Sequence, residues 1–97
     1  MADLTQDIYA EIAVRIIQGQ ENIIGPIAVE QAQQVRELQV DWGQRQVTIS
    51  GNKVQAIEDL IDKYRDLFGH ISVEVSKQAA GSLMSRLPAD GLPASLK

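Results

Sequence analysis

The sequence predicts a small α+β domain that is mostly α-helical, in the order helix–helix–β-hairpin–helix–helix. Apolar residues recur at helical spacing in two long segments, alternate with polar residues in a short segment between them, and belong in part to an internal repeat. The 97 residues suffice for one domain. We expect it to cover residues 1–87, with halves at about 4–36 and 52–87, a hairpin at 38–50 and a flexible tail at 88–97.

The first predicted helix runs from Leu4 to Gln18, after a capping-box pattern formed by Asp3 and Gln6. Its polar residues share one narrow stripe, and nearly all of the remaining circumference is apolar. An ordinary surface helix has an apolar arc of about 100°, so this helix is expected to be buried on more than one side. Gly19 is expected to weaken or end it.

A second helix is predicted from Pro26 to Arg36, because proline is favoured at the first helical position. A β-hairpin follows. Leu38, Val40 and Trp42 alternate with polar residues before a glycine-containing turn at 43–45, and Val47 and Ile49 alternate after it. A lone hairpin is marginal in water, so one of its faces must lie on the helices or on a partner.

The next helix is predicted from Lys53 to Phe68, with Asn52 and Gln55 as its capping pattern and Gly69 as its end. Its apolar residues fill an arc of about 140°, as expected for a helix with one buried face.

An internal repeat relates the two halves. Shifted by 44 residues, Ile17–Gln34 lies over Ile61–Gln78 with six identities, and Gly25-Pro26 lies over Gly69-His70. Residues 71–76 alternate like a strand but also fit a helix. Because Pro26 marks a helix start in the first copy, the repeat favours a helix over 71–87, and so a duplicated helix–Gly–helix unit.

The composition disfavours catalysis. The chain has no cysteine and one histidine, His70, which excludes thiolate chemistry and histidine-cluster metal sites. It shows neither nucleotide-binding glycine spacing nor a nucleophile elbow. We therefore expect a protein that is not an enzyme, with no cofactor and no metal. A membrane-spanning helix needs about 20 apolar residues, and every apolar stretch of this sequence is much shorter. The N-terminus does not resemble a signal peptide, so a cytoplasmic location is expected.

Two groups of residues are candidates for protein contacts. Trp42 near the hairpin turn either anchors a partner or folds back onto the helices. On the first helix, Ile8, Ile12 and Ile16 form one apolar side and Tyr9, Ala13 and Ile17 the other. One side is expected to face the core and the other a second copy, which predicts a homodimer.

A nucleic-acid-binding regulator is the alternative function. The helix–Gly–helix would act as a helix-turn-helix, with Arg36, Arg45 and Lys53 as basic contacts. The net charge of −4 counts against it, because surfaces that follow phosphates are normally basic.

The segment Ile24-Gly25-Pro26-Ile27-Ala28, between two predicted helices, resembles an Ile-Gly-Pro-Ile-Ala segment of small helical modules attached to bacterial kinases and other signalling proteins. The resemblance covers about a fifth of the chain, and the second copy, Phe68–Ser72, departs from it. It implies a prokaryotic signalling or assembly context and no catalytic residues. The function predicted from the sequence is a non-enzymatic protein-interaction or regulatory module.

Overall fold

The computed structural model describes residues 8–87 and 91–96, and this part of the chain has the predicted class, mostly α with one antiparallel hairpin. A 3₁₀ helix at Gly81–Arg86 and a 3₁₀ turn at Ala94–Leu96 follow the last α-helix. The main elements are α1 (Ile8–Ile24), α2 (Ile27–Gln33), β1 (Leu38–Asp41), β2 (Gln46–Ile49), α3 (Lys53–Phe68) and α4 (His70–Ala80).

Helix α1 continues through Gly19, so the prediction that it ends there is wrong. A Cβ built on Gly19 would lie 3.0 Å from the Ala79 Cβ of α4, closer than side chains normally pack. Glycine is therefore needed here for close approach of two helices, and tertiary packing outweighs its low helix propensity. The predicted start at Leu4 and its Asp3–Gln6 cap lie outside the described residues.

The glycines of the repeat adopt nearly the same backbone torsion. Gly25 has φ +78° and Gly69 has φ +79°, a region that other residues rarely occupy, so each ends one helix and the next begins directly after it. Residues 71–76 are helical, as the repeat predicts. The predicted helix over 71–87 is too long, because Gly81 has φ +50° and the chain continues as a 3₁₀ helix.

Two further boundaries have local explanations. Helix α2 stops at Gln33 and not at Arg36, because the Val35 N–H bonds to the Ala32 carbonyl at 3.1 Å in a tighter turn. At the start of α3, the predicted cap is present: Asn52 Oδ1 accepts a hydrogen bond from the Gln55 N–H at 2.9 Å.

The hairpin pairs Leu38 with Ile49 and Val40 with Val47. The side chains of Leu38, Val47 and Ile49 are buried in the core between the hairpin and the helices, which is the support a two-stranded sheet needs. Trp42 lies in the turn that joins the strands and not in the strand.

The core centres on α1 and α3. The side chains of both helices that face it have no exposed surface: Ile12, Ala13, Ile16, Ile17, Ala56, Ile57, Leu60, Ile61 and Tyr64. Helices α2 and α4 cover them with small residues such as Ala28, Ala32 and Ser76.

Two hydrogen bonds relate the halves of the domain by the same 44-residue shift. Gln20 Nε2 of α1 donates to the Ser72 carbonyl of α4 at 2.9 Å. At the equivalent positions, Tyr64 Oη of α3 donates to the Ala28 carbonyl of α2 at 2.6 Å. Burial, and secondarily the charge of Glu21, raises the pKa of Tyr64, so its hydroxyl remains a donor. The reciprocal bonds give the predicted duplication a structural basis, because each copy fastens its first helix to the second helix of the other.

Residues 91–96 differ from the predicted flexible tail, because they pack against the domain. Tyr9 Oη donates to the Gly91 carbonyl at 2.8 Å, and Leu96 is only 4% exposed. The Ser95 N–H and hydroxyl both donate to the Glu58 carboxylate. The tail was predicted to be flexible because of its two prolines. Proline excludes an α-helix there, but it does not prevent the segment from packing against the domain.

We call the helix junctions at Gly25 and Gly69 the two elbows. Substitution of either glycine should destabilise the fold by a similar amount. Gly25→Val and Gly69→Val are each expected to lower the free energy of unfolding by about 1–3 kcal/mol, measured by urea denaturation. The cost comes from the positive φ alone, because a Cβ at either position meets nothing within 4 Å. A neutral Gly69→Val would contradict the equivalence of the two positions.

Candidate interaction surface

The two elbows, the helix junctions at Gly25 and Gly69, lie close to the hydrogen bonds that join the two halves of the domain. The bond from Gln20 to Ser72 joins the last turns of α1 to the first turn of α4. The bond from Tyr64 to Ala28 joins the end of α3 to the start of α2. Each of these bonds lies within two helical turns of both Gly25 and Gly69, so the two elbows are neighbouring parts of the domain.

Four large aliphatic side chains are exposed beside the two elbows, one on either side of each glycine, and we call them the elbow face. Their exposed fractions are 64% for Ile23, 39% for Ile27, 51% for Leu67 and 67% for Ile71. Within the described residues they are the exposed large hydrophobic residues. The repeat pairs them, since Ile23 corresponds to Leu67 and Ile27 to Ile71.

The charges around the elbow face are of both signs. Arg65 forms an ion pair with Asp62 one turn before the second elbow. His70 Nε2 lies 3.4 Å from the Glu74 carboxylate, and Lys77 Nζ lies 3.9 Å from it. The rim thus contains exposed pairs that a partner surface can rearrange at little cost, because exposed ion pairs contribute about 0–1 kcal/mol each. His70 is a surface residue in this arrangement, and Pro26, its counterpart, is exposed as well.

The predicted dimer surface on α1 is wrong. Ile12 and Ile16 have no exposed surface and Ile8 is only partly exposed, while Ala13 and Ile17 on the opposite side are fully buried too. Helices α2, α3 and α4 and strand β2 of the same chain cover both sides of α1. The apolar circumference of this helix is a property of the core.

Trp42 is half-buried and held by its own chain. Its indole N–H donates to Glu21 Oε2 of α1 at 3.1 Å, and the Arg45 guanidinium lies 4.5 Å from the ring centroid. Arg45 also donates to the Trp42 carbonyl at 2.8 Å. These contacts hold the tip of the hairpin against α1. Of the two alternatives for Trp42, a partner anchor or a side chain folded back onto the helices, the structure shows the second.

The three basic residues of the nucleic-acid hypothesis are not gathered on one surface. Arg45 lies at the tip of the hairpin, whereas Arg36 and Lys53 lie next to its base. Arg36 shares a surface groove with Asp59, Asp62 and Asp66. A phosphate backbone would meet these carboxylates together with the guanidinium.

The described residues contain no cluster of histidine and carboxylate side chains that could hold a metal ion. Within the same ranges, 8–87 and 91–96, no helix has the length and apolar character of a membrane span. No protein-family model, curated protein or solved structure matches the chain.

Sequence reasoning missed the elbow face, although the signal was present. The repeat pairs Ile23 with Leu67 and Ile27 with Ile71, but an apolar pattern alone does not distinguish a core residue from an exposed one. Each elbow glycine, where one helix ends and the next begins, has a positive φ and is flanked by two of these side chains, which are exposed there.

Proposed function

We propose that the protein is a non-enzymatic interaction and assembly module that docks through the elbow face, with a second copy of itself as its first partner. The observation that carries the proposal is the exposure of four large aliphatic side chains, two beside each elbow. Apolar patches of about 300–600 Å² on a monomer are often functional. The resemblance of Ile24–Ala28 to segments of helical modules supports a role in prokaryotic signalling or assembly, in the cytoplasm.

The size of the elbow face suits a dimer. A standard interface buries about 800 Å² on each partner, of which about 56–65% is apolar. Four side chains exposed by 39–67% supply a few hundred Å² of apolar surface, the amount that the centre of such an interface needs. The surrounding rim of the patch is polar, as the rim of an interface usually is.

The symmetry also suits self-association. The twofold-related copies of an isologous dimer present the same patch to each other, and such dimers are the commonest oligomers. A rim of one sign would repel its own copy, whereas this rim combines Arg65 and Lys77 with Asp62 and Glu74. Acidic and basic groups can therefore face one another across the axis.

We expect Ile71→Glu to weaken the dimer at least about 100-fold. Ile71 occurs twice in a twofold interface, and burial of each large aliphatic side chain contributes roughly 1.5–3 kcal/mol. The measurement is sedimentation equilibrium over a dilution series from hundreds of micromolar downward. Wild type should move from twice the chain mass of 10.7 kDa toward that mass, and Ile71→Glu should stay at it throughout.

The matched control is Ser82→Glu, which adds the same charge at an exposed position beyond the far end of α4 from the elbow. It should dimerise like wild type. Circular dichroism should show the native helix content for both variants. A wild-type mass of 10.7 kDa at every concentration would remove the proposed self-docking. Equal dimerisation of Ile71→Glu and wild type would remove the elbow face from it.

A further inference from the structure

A groove of about 460 Å³ lies between α1 and the hairpin, away from the elbow face. Its helix wall consists of Ala10, Glu11 and Val14, and its other wall is formed by the four successive residues 45–48. Side chains on one face of a strand belong to alternate residues, so a wall of consecutive residues indicates that the strand borders the groove with its edge.

The hairpin register shows which main-chain groups lie on that edge. The Ser50 N–H donates to the Glu37 carbonyl at 2.8 Å, which makes residues 37 and 50 a hydrogen-bonded pair. Because such pairs alternate along an antiparallel ladder, the pair of Val40 and Val47 is not hydrogen-bonded across it. The N–H and C=O of Val47 therefore point outward from β2. In the described part of the chain, no hydrogen bond reaches them.

A second unsatisfied group lines the same groove. Glu11 Oε1 is buried without a hydrogen-bond partner, and it is the one side-chain oxygen or nitrogen atom of the described residues in that state. The other carboxylate oxygen, Oε2, lies 3.6 Å from Arg15. The Glu11 side chain as a whole is 34% exposed, so the carboxylate can turn toward a cationic donor in the groove, which would satisfy the unpaired oxygen.

We propose that this groove binds an extended peptide segment of another protein, which adds to β2 as a third strand and donates a lysine or arginine side chain to Glu11. The peptide main chain pairs with the N–H and C=O of Val47, and small aliphatic side chains on its inner face cover Ala10 and Val14. The unpaired carboxylate oxygen of Glu11 selects a peptide that also has one basic side chain on this inner face. This inference does not depend on the elbow face.

The β2 edge of a second copy is the competing occupant, and it fits less well. The basic residue of that edge is Arg45, whose guanidinium already lies over the Trp42 ring and donates to the Trp42 carbonyl. It would have to leave both contacts to reach Glu11 of another copy. A peptide with an uncommitted lysine has no such cost.

The test uses an end-capped synthetic peptide of alternating valine and threonine with one lysine on its inner face, titrated into the full ¹⁵N-labelled chain. Amide shifts are expected at Val47, Thr48 and the first turns of α1, and none at the elbow face. The lysine peptide should bind about tenfold more tightly than the same peptide with norleucine, equivalent to 1.4 kcal/mol. Glu11→Gln should abolish this preference, whereas Glu74→Gln should keep it.

Three results would overturn the proposal. One is the absence of shifts at Val47 and Thr48 up to millimolar peptide, and another is equal binding of the lysine and norleucine peptides to wild type. The third is a concentration dependence of the Val47 and Thr48 amides without peptide, which would assign the edge to a second copy. Peptide binding by Ile71→Glu is expected to equal that by wild type, so failure of the elbow dimer leaves this test valid.

Discussion

Gly19→Leu is expected to lower the free energy of unfolding by about 3 kcal/mol, the upper range for overpacking a filled core. A Cβ at this position already lies 3.0 Å from the Ala79 Cβ and 3.6 Å from a methyl carbon of Val75. A leucine side chain therefore cannot enter unless α1 and α4 separate. Separation would break the bond from Gln20 to Ser72 as well. Urea denaturation followed by circular dichroism measures the loss.

Gln18→Leu is the control for Gly19→Leu, because it adds the same side chain to an exposed position of the same helix. Its effect should remain within about 0.5 kcal/mol of wild type. Ala79→Gly in the Gly19→Leu background should recover part of the loss, and a double-mutant cycle gives the coupling. A Gly19→Leu variant as stable as wild type would show that α1 and α4 do not approach as closely as described.

Ile17→Ala and Ile61→Ala are each expected to cost about 2–5 kcal/mol, the range for removal of a buried isoleucine side chain. The two residues correspond in the repeat, and both have no exposed surface. Each removes the same atoms from the centre of the core, one from α1 and one from α3. Chemical denaturation of both variants tests whether the two copies contribute alike.

Ile23→Ala serves as the comparison for these core variants, since Ile23 belongs to α1 but is 64% exposed. It should change the stability of the monomer by no more than about 0.5 kcal/mol. A loss below about 1 kcal/mol for either Ile17→Ala or Ile61→Ala would contradict the shared core. It would mean that one copy of the repeat is packed loosely.

The order of the elements was predictable because each has a local cause. The Asn52 cap, the positive-φ glycines at 25 and 69, and the alternation around residues 43–45 act within a few residues of themselves. The repeat added information that periodicity alone lacked, since it decided that residues 71–76 are helical.

The errors concern long-range packing. Glycine is a residue typical of helix ends. The close approach of Ala79, which is 60 residues away in sequence, explains why the helix continues through Gly19. The tail joins the domain through Tyr9 and Glu58, contacts that its own sequence does not indicate. The apolar surface of α1 was correctly expected to be buried on several sides, but the covering elements are in the same chain and not in a second copy.

The candidate surfaces were accessible from the sequence only in part. The repeat contained the residue pairs of the elbow face, but their exposure depends on how the helices pack around the two glycines. The groove beside β2 depends on the hairpin register and on the position of α1, neither of which follows from periodicity. Glu11 was assigned to an ordinary polar stripe, and its unpaired oxygen is visible only in the fold.

The most direct test of the docking face is an isotope-filtered NOE measurement on a mixture of methyl-labelled and unlabelled protein at dimer-forming concentration. We predict intermolecular NOEs from the methyl groups of Ile23, Leu67 and Ile71, and none from those of Ile12 and Ile16, which the chain's own core encloses. Intermolecular NOEs confined to other methyl groups, or none at a concentration where the mass is that of a dimer, would contradict docking through the elbow face.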